Sequence, residues 1–208
     1  MQLPLFPLKT VLFPSGVLPL RIFEARYMDM VRQCMKTESP FGVVLITKGG
    51  EVGAPATTES VGTQARIAAW DMPKLGLLHL RAVGCDRFRI EHTEIQPDGL
   101  QVATVTPIAP DDDLPLPQQH QPCADLLQRI LVDVGSRPQE NSGEAADSVG
   151  SVPFEPPYRL ESSVWVGNRL SEFIPVPLRA RQKLMELQDA RSRLELVQRF
   201  LVQHGVLA

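Results

Sequence analysis

The sequence predicts an α+β chain: a β-rich lobe containing one helix, followed by a small helical bundle. Three observations carry this. The first half alternates short apolar runs with turn residues, the pattern of strands. From about residue 123 the apolar spacing becomes helical. Between these halves, residues 107–122 hold five prolines and the triplet Asp111-Asp112-Asp113. The expected divisions are a β-rich lobe over 1–108, a semi-rigid Pro-rich linker over 109–122 and a helical lobe over 123–208.

The opening segment is apolar but carries Pro4, Pro7, Pro14 and Pro19. Proline has no N–H and a fixed φ, so the segment is no helix and predicts short edge strands joined by proline turns. A helix is expected from Glu24 to about Lys36. Tyr27, Met30, Val31, Cys34 and Met35 fall on one face, with acidic Glu24 in the first turn and Lys36 in the last. Pro40 forbids continuation. Phe41 to Ile46 reads as a buried strand and Val61 to Trp70 as another. A hairpin connection is expected over Asp71–Gly76. Leu77 to Glu91 follows as a long strand with a bulge or bend at Gly84, and Leu100 to Thr106 as a further strand.

In the second half, Leu126, Leu127, Ile130, Leu131 and Val134 mark a helix ending at Gly135. Residues 136–157 are rich in Ser, Gly, Glu and Pro and predict a mobile loop. Ser162 or Ser163 caps a helix carrying Val166, Leu170 and Phe173. Pro177 opens another, and Asp189 caps a last helix with Leu194, Val197, Phe200 and Leu201. Gly205 closes it.

Bulk properties narrow the function classes. A formal net charge of −3 and a pI near 5.8 give no whole-chain footprint for nucleic acid. The three cysteines, Cys34, Cys85 and Cys123, are far apart and suggest neither a disulfide framework nor a zinc cluster. A reducing cytoplasm is the expected compartment. Nothing approaches a membrane-spanning apolar run, and Lys9 with the prolines spoils a signal peptide. The histidines lie in different elements without the i, i+4 spacing of a helical metal site, so no metal or cofactor is expected.

Several matches carry a family resemblance, in family order: Leu3-Pro4-Leu5-Phe6-Pro7-Leu8, Phe23-Glu24-Ala25-Arg26-Tyr27, Pro40-Phe41-Gly42-Val43-Val44-Leu45, Val61-Gly62-Thr63-Gln64-Ala65-Arg66-Ile67, and Gly84-Cys85-Asp86-Arg87-Phe88-Arg89-Ile90. The chain resembles the Lon protease N-terminal domain. That resemblance implies a PUA-like β pseudo-barrel followed by helices, and a domain that recognises protein substrates without chemistry. A full Lon protease continues into an ATPase and a serine–lysine peptidase. This sequence shows no Gly-x-x-x-x-Gly-Lys-Ser/Thr phosphate loop, and the resemblance implies the recognition part as a free-standing, non-enzymatic protein.

The expected partners are unfolded or apolar polypeptide segments, with the chain acting as an adaptor to a separate protease. The candidate peptide-binding residues are Pro19, Phe23, Glu24, Arg26 and Tyr27, with Trp70 and Met72 flanking the hairpin. Aromatics there would hold an apolar peptide while the charges polarise its backbone. The competing reading makes Phe23 and Tyr27 core and makes Glu24 and Arg26 a helix-start brace. Arg81, Arg87 and Arg89 share strand parity and form a candidate basic face for an anionic partner such as RNA, an alternative suggested by the PUA-like fold. Otherwise they are a solvated face paired with Glu91 and Glu94. A third alternative, a peptidase by family relationship alone, has no catalytic motif behind it.

Overall fold

The computed structural model describes residues 1–136 and 154–207. Most of the loop expected over 136–157 therefore lies outside the described residues. The described residues fall into two compact units, 1–109 and 110–136 with 154–207.

The first unit contains β1 (Gln2–Leu8), β2 (Val17–Ile22), α1 (Ala25–Thr37), β3 (Phe41–Lys48), β4 (Thr57–Lys74), β5 (Leu77–Ile95) and β6 (Gln101–Pro107). The strand order is β2-β5-β4-β3-β1-β6, and β5 also pairs with β6. Five strands thus close on themselves as a pseudo-barrel, while β2 adds to the first half of β5. β1 and β3 are parallel, and the other pairings are antiparallel.

The chemistry of β1 corrects one expectation. Its prolines predict an edge, yet β1 lies between β3 and β6. Gln2 to Pro4 pair with β6, and Leu5 to Leu8 pair with β3. Each half is bonded along one side only, so a proline nitrogen is accommodated on the other. Side chains alternate between two buried faces. Leu3 and Leu5 join Val44, Phe88, Ala103 and Val105 in one cluster. Phe6 and Leu8 join Phe41, Val43, Leu78 and Leu80 in the other, beneath Tyr27, Met30, Val31 and Cys34 of α1. The first cluster is tight: a Cβ at Gly62 would stand 2.5 Å from the Val43 carbonyl oxygen and 2.7 Å from Phe88 Cζ.

The turn between β4 and β5 is Leu75-Gly76, with Gly76 at φ +82°. The irregularity expected at Gly84 is a bulge: Ala65 faces Gly84 while Thr63 faces Arg87. A Cβ on Gly84 would lie 2.2 Å from the Phe13 carbonyl oxygen, so this approach admits only glycine.

The second unit contains α2 (Gln121–Ser136), α3 (Ser163–Phe173), α4 (Leu178–Glu186) and α5 (Ala190–Gln203). The caps follow the sequence signals. Ser162 accepts from the Trp165 N–H, and Asp189 accepts from those of Arg191 and Ser192. Pro177 is the N-cap of α4. α3 packs against α2, α4 and α5, burying Trp165, Val166, Leu170, Leu194 and Val197.

Residues 110–120 are part of this second unit rather than a spacer. Pro115 bridges Ser162, and the Leu116 N–H donates to the Glu161 carbonyl at 2.7 Å. The acidic triplet is not uniformly solvated. The Asp111 side chain is buried against Arg193, whereas Asp112 and Asp113 are exposed, Asp113 meeting Ser162 and Arg159. The buried Arg193 draws the Asp111 carboxylate in, a pairing across 82 residues that local composition does not display.

Candidate functional site

A groove of about 320 Å³ opens on the first unit, within the size range of ligand pockets. Its deepest lining is apolar. Phe6 and Leu8 come from β1, Leu20 and Ile22 from β2, and Tyr27 from α1, all buried. Phe23 and Val52 stand at the mouth, 58% and 60% exposed. Leu18, Pro19, Arg21, Thr10, Glu24 and Glu51 complete it.

Local sequence explains the shape. Chain direction changes between β2 and α1 at Phe23-Glu24, and Glu24 is the N-cap of α1. Its carboxylate does not cap the helix. It accepts from Arg26 Nη2 at 2.8 Å, with the Gly53 N–H at 3.4 Å. Arg26 Nη1 donates to the Gly99 carbonyl at 3.1 Å, and the guanidinium carbon lies 4.6 Å from the Tyr27 ring centroid. A second carboxylate ties the mouth: Glu51 Oε1 accepts from the Lys9 N–H at 2.6 Å. The Tyr27 ring packs on Phe6 with centroids 4.3 Å apart. Burial raises the Tyr27 phenol pKa, opposed by the Arg26 charge and assisted by that of Glu24. The phenol is therefore neutral at ordinary pH.

Of the residues singled out in the sequence, Pro19, Phe23, Glu24 and Tyr27 line one groove. Arg26 does not line it; it is buried and braces Glu24. Within this cluster Tyr27 and Arg26 are buried while Phe23 is exposed. Trp70 and Met72 do not line the groove. They sit near the β4–β5 turn, exposed by 53% and 41%, close to the fully exposed Leu75. Phe6, Leu8, Thr10, Glu51 and Val52 escaped sequence reasoning. The first two lie in a proline-rich motif that marks a strand, and nothing local marks the others.

The basic face of Arg81, Arg87 and Arg89 does not exist as one surface. The bulge after Gly84 reverses strand parity, so Arg81 projects from one face and Arg87 and Arg89 from the other. Arg87 is also buried, with Nη2 3.5 Å from the Ala109 carbonyl oxygen.

Among the described residues, no group of three His, Cys, Asp or Glu is arranged to hold a metal, and no helix is long and apolar enough to cross a membrane. Cys34 and Cys123 are buried, and burial raises both thiol pKa values, Cys123 to about 11.

Comparison with known proteins gives this groove its context. Residues 2–203 match the model of the ATP-dependent protease La (LON) substrate-binding domain. A Lon N-terminal domain protein from Xanthomonas campestris is 34% identical, with a TM-score of 0.73, over 95% of this chain and 97% of that one. The N-terminal domain of a Mycobacterium avium complex Lon protease shares the fold, with a TM-score of 0.59 at 15% identity, over 98% of this chain and 100% of that one. Protein cereblon of Xenopus tropicalis is 32% identical over 120 residues, and that of Danio rerio 30% over 120. These matches span 56% of this chain but about a quarter of each cereblon, 26% and 27%. The match over nearly the whole length places the chain in the ATP-dependent protease La (LON) substrate-binding domain family.

Proposed function

We propose that this chain binds exposed apolar segments of protein substrates in the groove between β2, β1 and the start of α1, as a non-catalytic recognition module serving a separate protease. The observation that carries the reading is the lining: a buried apolar floor of Phe6, Leu8, Leu20, Ile22 and Tyr27 beneath the exposed Phe23. Such a surface buries apolar side chains with few directional demands, which suits weak and promiscuous binding. The lining supplies no serine, cysteine, histidine or lysine. Trp70 and Met72 add a second exposed apolar contact for chains long enough to reach it. The division of the three arginines between faces weighs against the RNA alternative.

The test is titration of the full chain with reduced, carboxymethylated lactalbumin and with the same protein folded. The expected result is saturable binding of the unfolded form alone, retained at about 0.5 M salt, where exposed charge interactions are screened. Binding lost at that salt, equal binding of the folded form, or cleavage of the unfolded form would overturn the reading.

A further inference from the structure

The groove runs along an unpaired strand edge. Among the described residues, β2 ends the sheet and pairs with β5 alone. The Gly84 N–H donates to the Gly16 carbonyl at 2.8 Å, one step before the pair Val17 and Val83. Bonded and non-bonded pairs alternate along an antiparallel ladder. Leu18, Leu20 and Ile22 therefore bond β5, while Val17, Pro19 and Arg21 turn their main-chain groups away from it. Proline fits this phase because the ladder asks no N–H of position 19. Outside that ladder, no backbone hydrogen bond among the described residues reaches Val17, Pro19 or Arg21.

The lining takes in every residue from Leu18 to Phe23 without a gap. Successive strand side chains point to opposite faces. A cavity touching all of them lies beside the edge of the strand, not over one face. Apolar floor and free backbone groups thus meet in the same groove.

We propose, building on the recognition reading above, that the substrate segment docks as an added β-strand on β2. Its main chain bonds the N–H and C=O of Arg21 and the C=O of Pro19, while its side chains enter the groove. Pro19 supplies an acceptor but no donor, so a carbonyl opposite it is left without a partner. This limits the gain from a longer match and keeps binding weak. Of the two carboxylates in the lining, Glu24 is already held by Arg26, while Glu51 accepts from the Lys9 N–H and, among the described residues, meets no cation. The occupant is therefore an extended apolar segment flanked by a basic residue that Glu51 can meet. Proline and an exposed charge on an edge strand are also devices against aggregation. Edge protection alone would leave the Arg21 amide indifferent to substrate, and the experiment reads that amide.

The full chain, labelled with nitrogen-15, is mixed with acetyl-Lys-Val-Leu-Val-Leu-Val-Lys-amide or with reduced, carboxymethylated lactalbumin, and amide exchange is followed. Exchange at Arg21 slows at least about tenfold with either probe, while the Leu20 amide, already bonded to β5, changes little. A peptide N-methylated at alternate residues keeps one bonding edge and binds within about threefold of the parent. One methylated at every nitrogen has no donors and binds at least about tenfold weaker. Unfolded lactalbumin bound without slowing at Arg21, or equal binding of the fully methylated peptide, overturns strand addition and leaves apolar recognition standing. No binding of unfolded lactalbumin overturns both.

Discussion

Arg26 Nη2 donates to Glu24 Oε2 at 2.8 Å, and this pair fixes the turn that brings Phe23 to the mouth of the groove. The two side chains are 7% and 21% exposed. The same guanidinium reaches the Gly99 carbonyl before β6, and the same carboxylate lies near the Gly53 N–H. One ion pair thereby ties the start of α1 to two loops that are distant in sequence.

Arg26→Ala removes the partner of a largely buried carboxylate and the guanidinium over Tyr27. We expect a loss of about 3 kcal/mol from the first unit. Urea unfolding followed by Tyr27-sensitive near-ultraviolet dichroism measures it. A loss below about 1 kcal/mol would show that the brace does not support the turn.

Phe23→Ser and Trp70→Ser separate the two exposed apolar surfaces. Both side chains are more than half exposed, so stability should move by no more than about 0.5 kcal/mol. Phe23→Ser weakens a short apolar peptide and an unfolded protein alike, by at least about threefold. Trp70→Ser spares the peptide and weakens only the unfolded protein. Fluorescence anisotropy with both ligands reads the difference, and loss of peptide binding on Trp70→Ser would move the site to the hairpin.

Asp111→Ala should damage the second unit and leave the first intact. Its carboxylate meets Arg193 Nη1 at 2.6 Å, with the two side chains 4% and 1% exposed. Arg193 also donates to the carbonyls of Leu184 and Leu187. Removing the anion takes the Asp111 countercharge from a buried cation, at a cost of about 3–5 kcal/mol. Hydrogen exchange should rise in α3 to α5 but not in β3 or β4. A uniform rise would show that the two units unfold together.

Asp189 carries a pH-dependent contribution. The Ser192 hydroxyl, followed by the N–H groups of Ser192 and Arg191, holds its carboxyl below the ordinary carboxylate range. A folded pKa below the unfolded one stabilises above the unfolded value and loses that benefit as pH falls through the folded value. The gap between wild type and Asp189→Asn should therefore be full at neutral pH and shrink below about pH 4. Thermal unfolding of both proteins between acid and neutral pH measures it. A gap independent of pH would assign the cap to hydrogen-bond geometry alone.

Element type and order were legible in the sequence because they follow from local chemistry. Ser162 and Asp189 bond amides two or three residues away, Pro40 lies beyond the end of α1, and Tyr27, Met30, Val31 and Cys34 recur at the helical period. The motif Phe23-Glu24-Ala25-Arg26-Tyr27 pointed to the groove for the same reason, since it marks a single reversal of the chain. Tertiary structure alone decided which proline strand is interior, because the neighbours of β1 lie up to a hundred residues away. It also divided Arg81 from Arg87 and Arg89: strand parity is a local count, and one bulge facing Ala65 and Thr63 reverses it. By sequence Asp111 belongs to a Pro-rich linker, and only the fold supplies its buried partner Arg193. The unpaired edge of β2 belongs to the same class, because a strand's outer hydrogen bonds depend on what the rest of the chain places beside it.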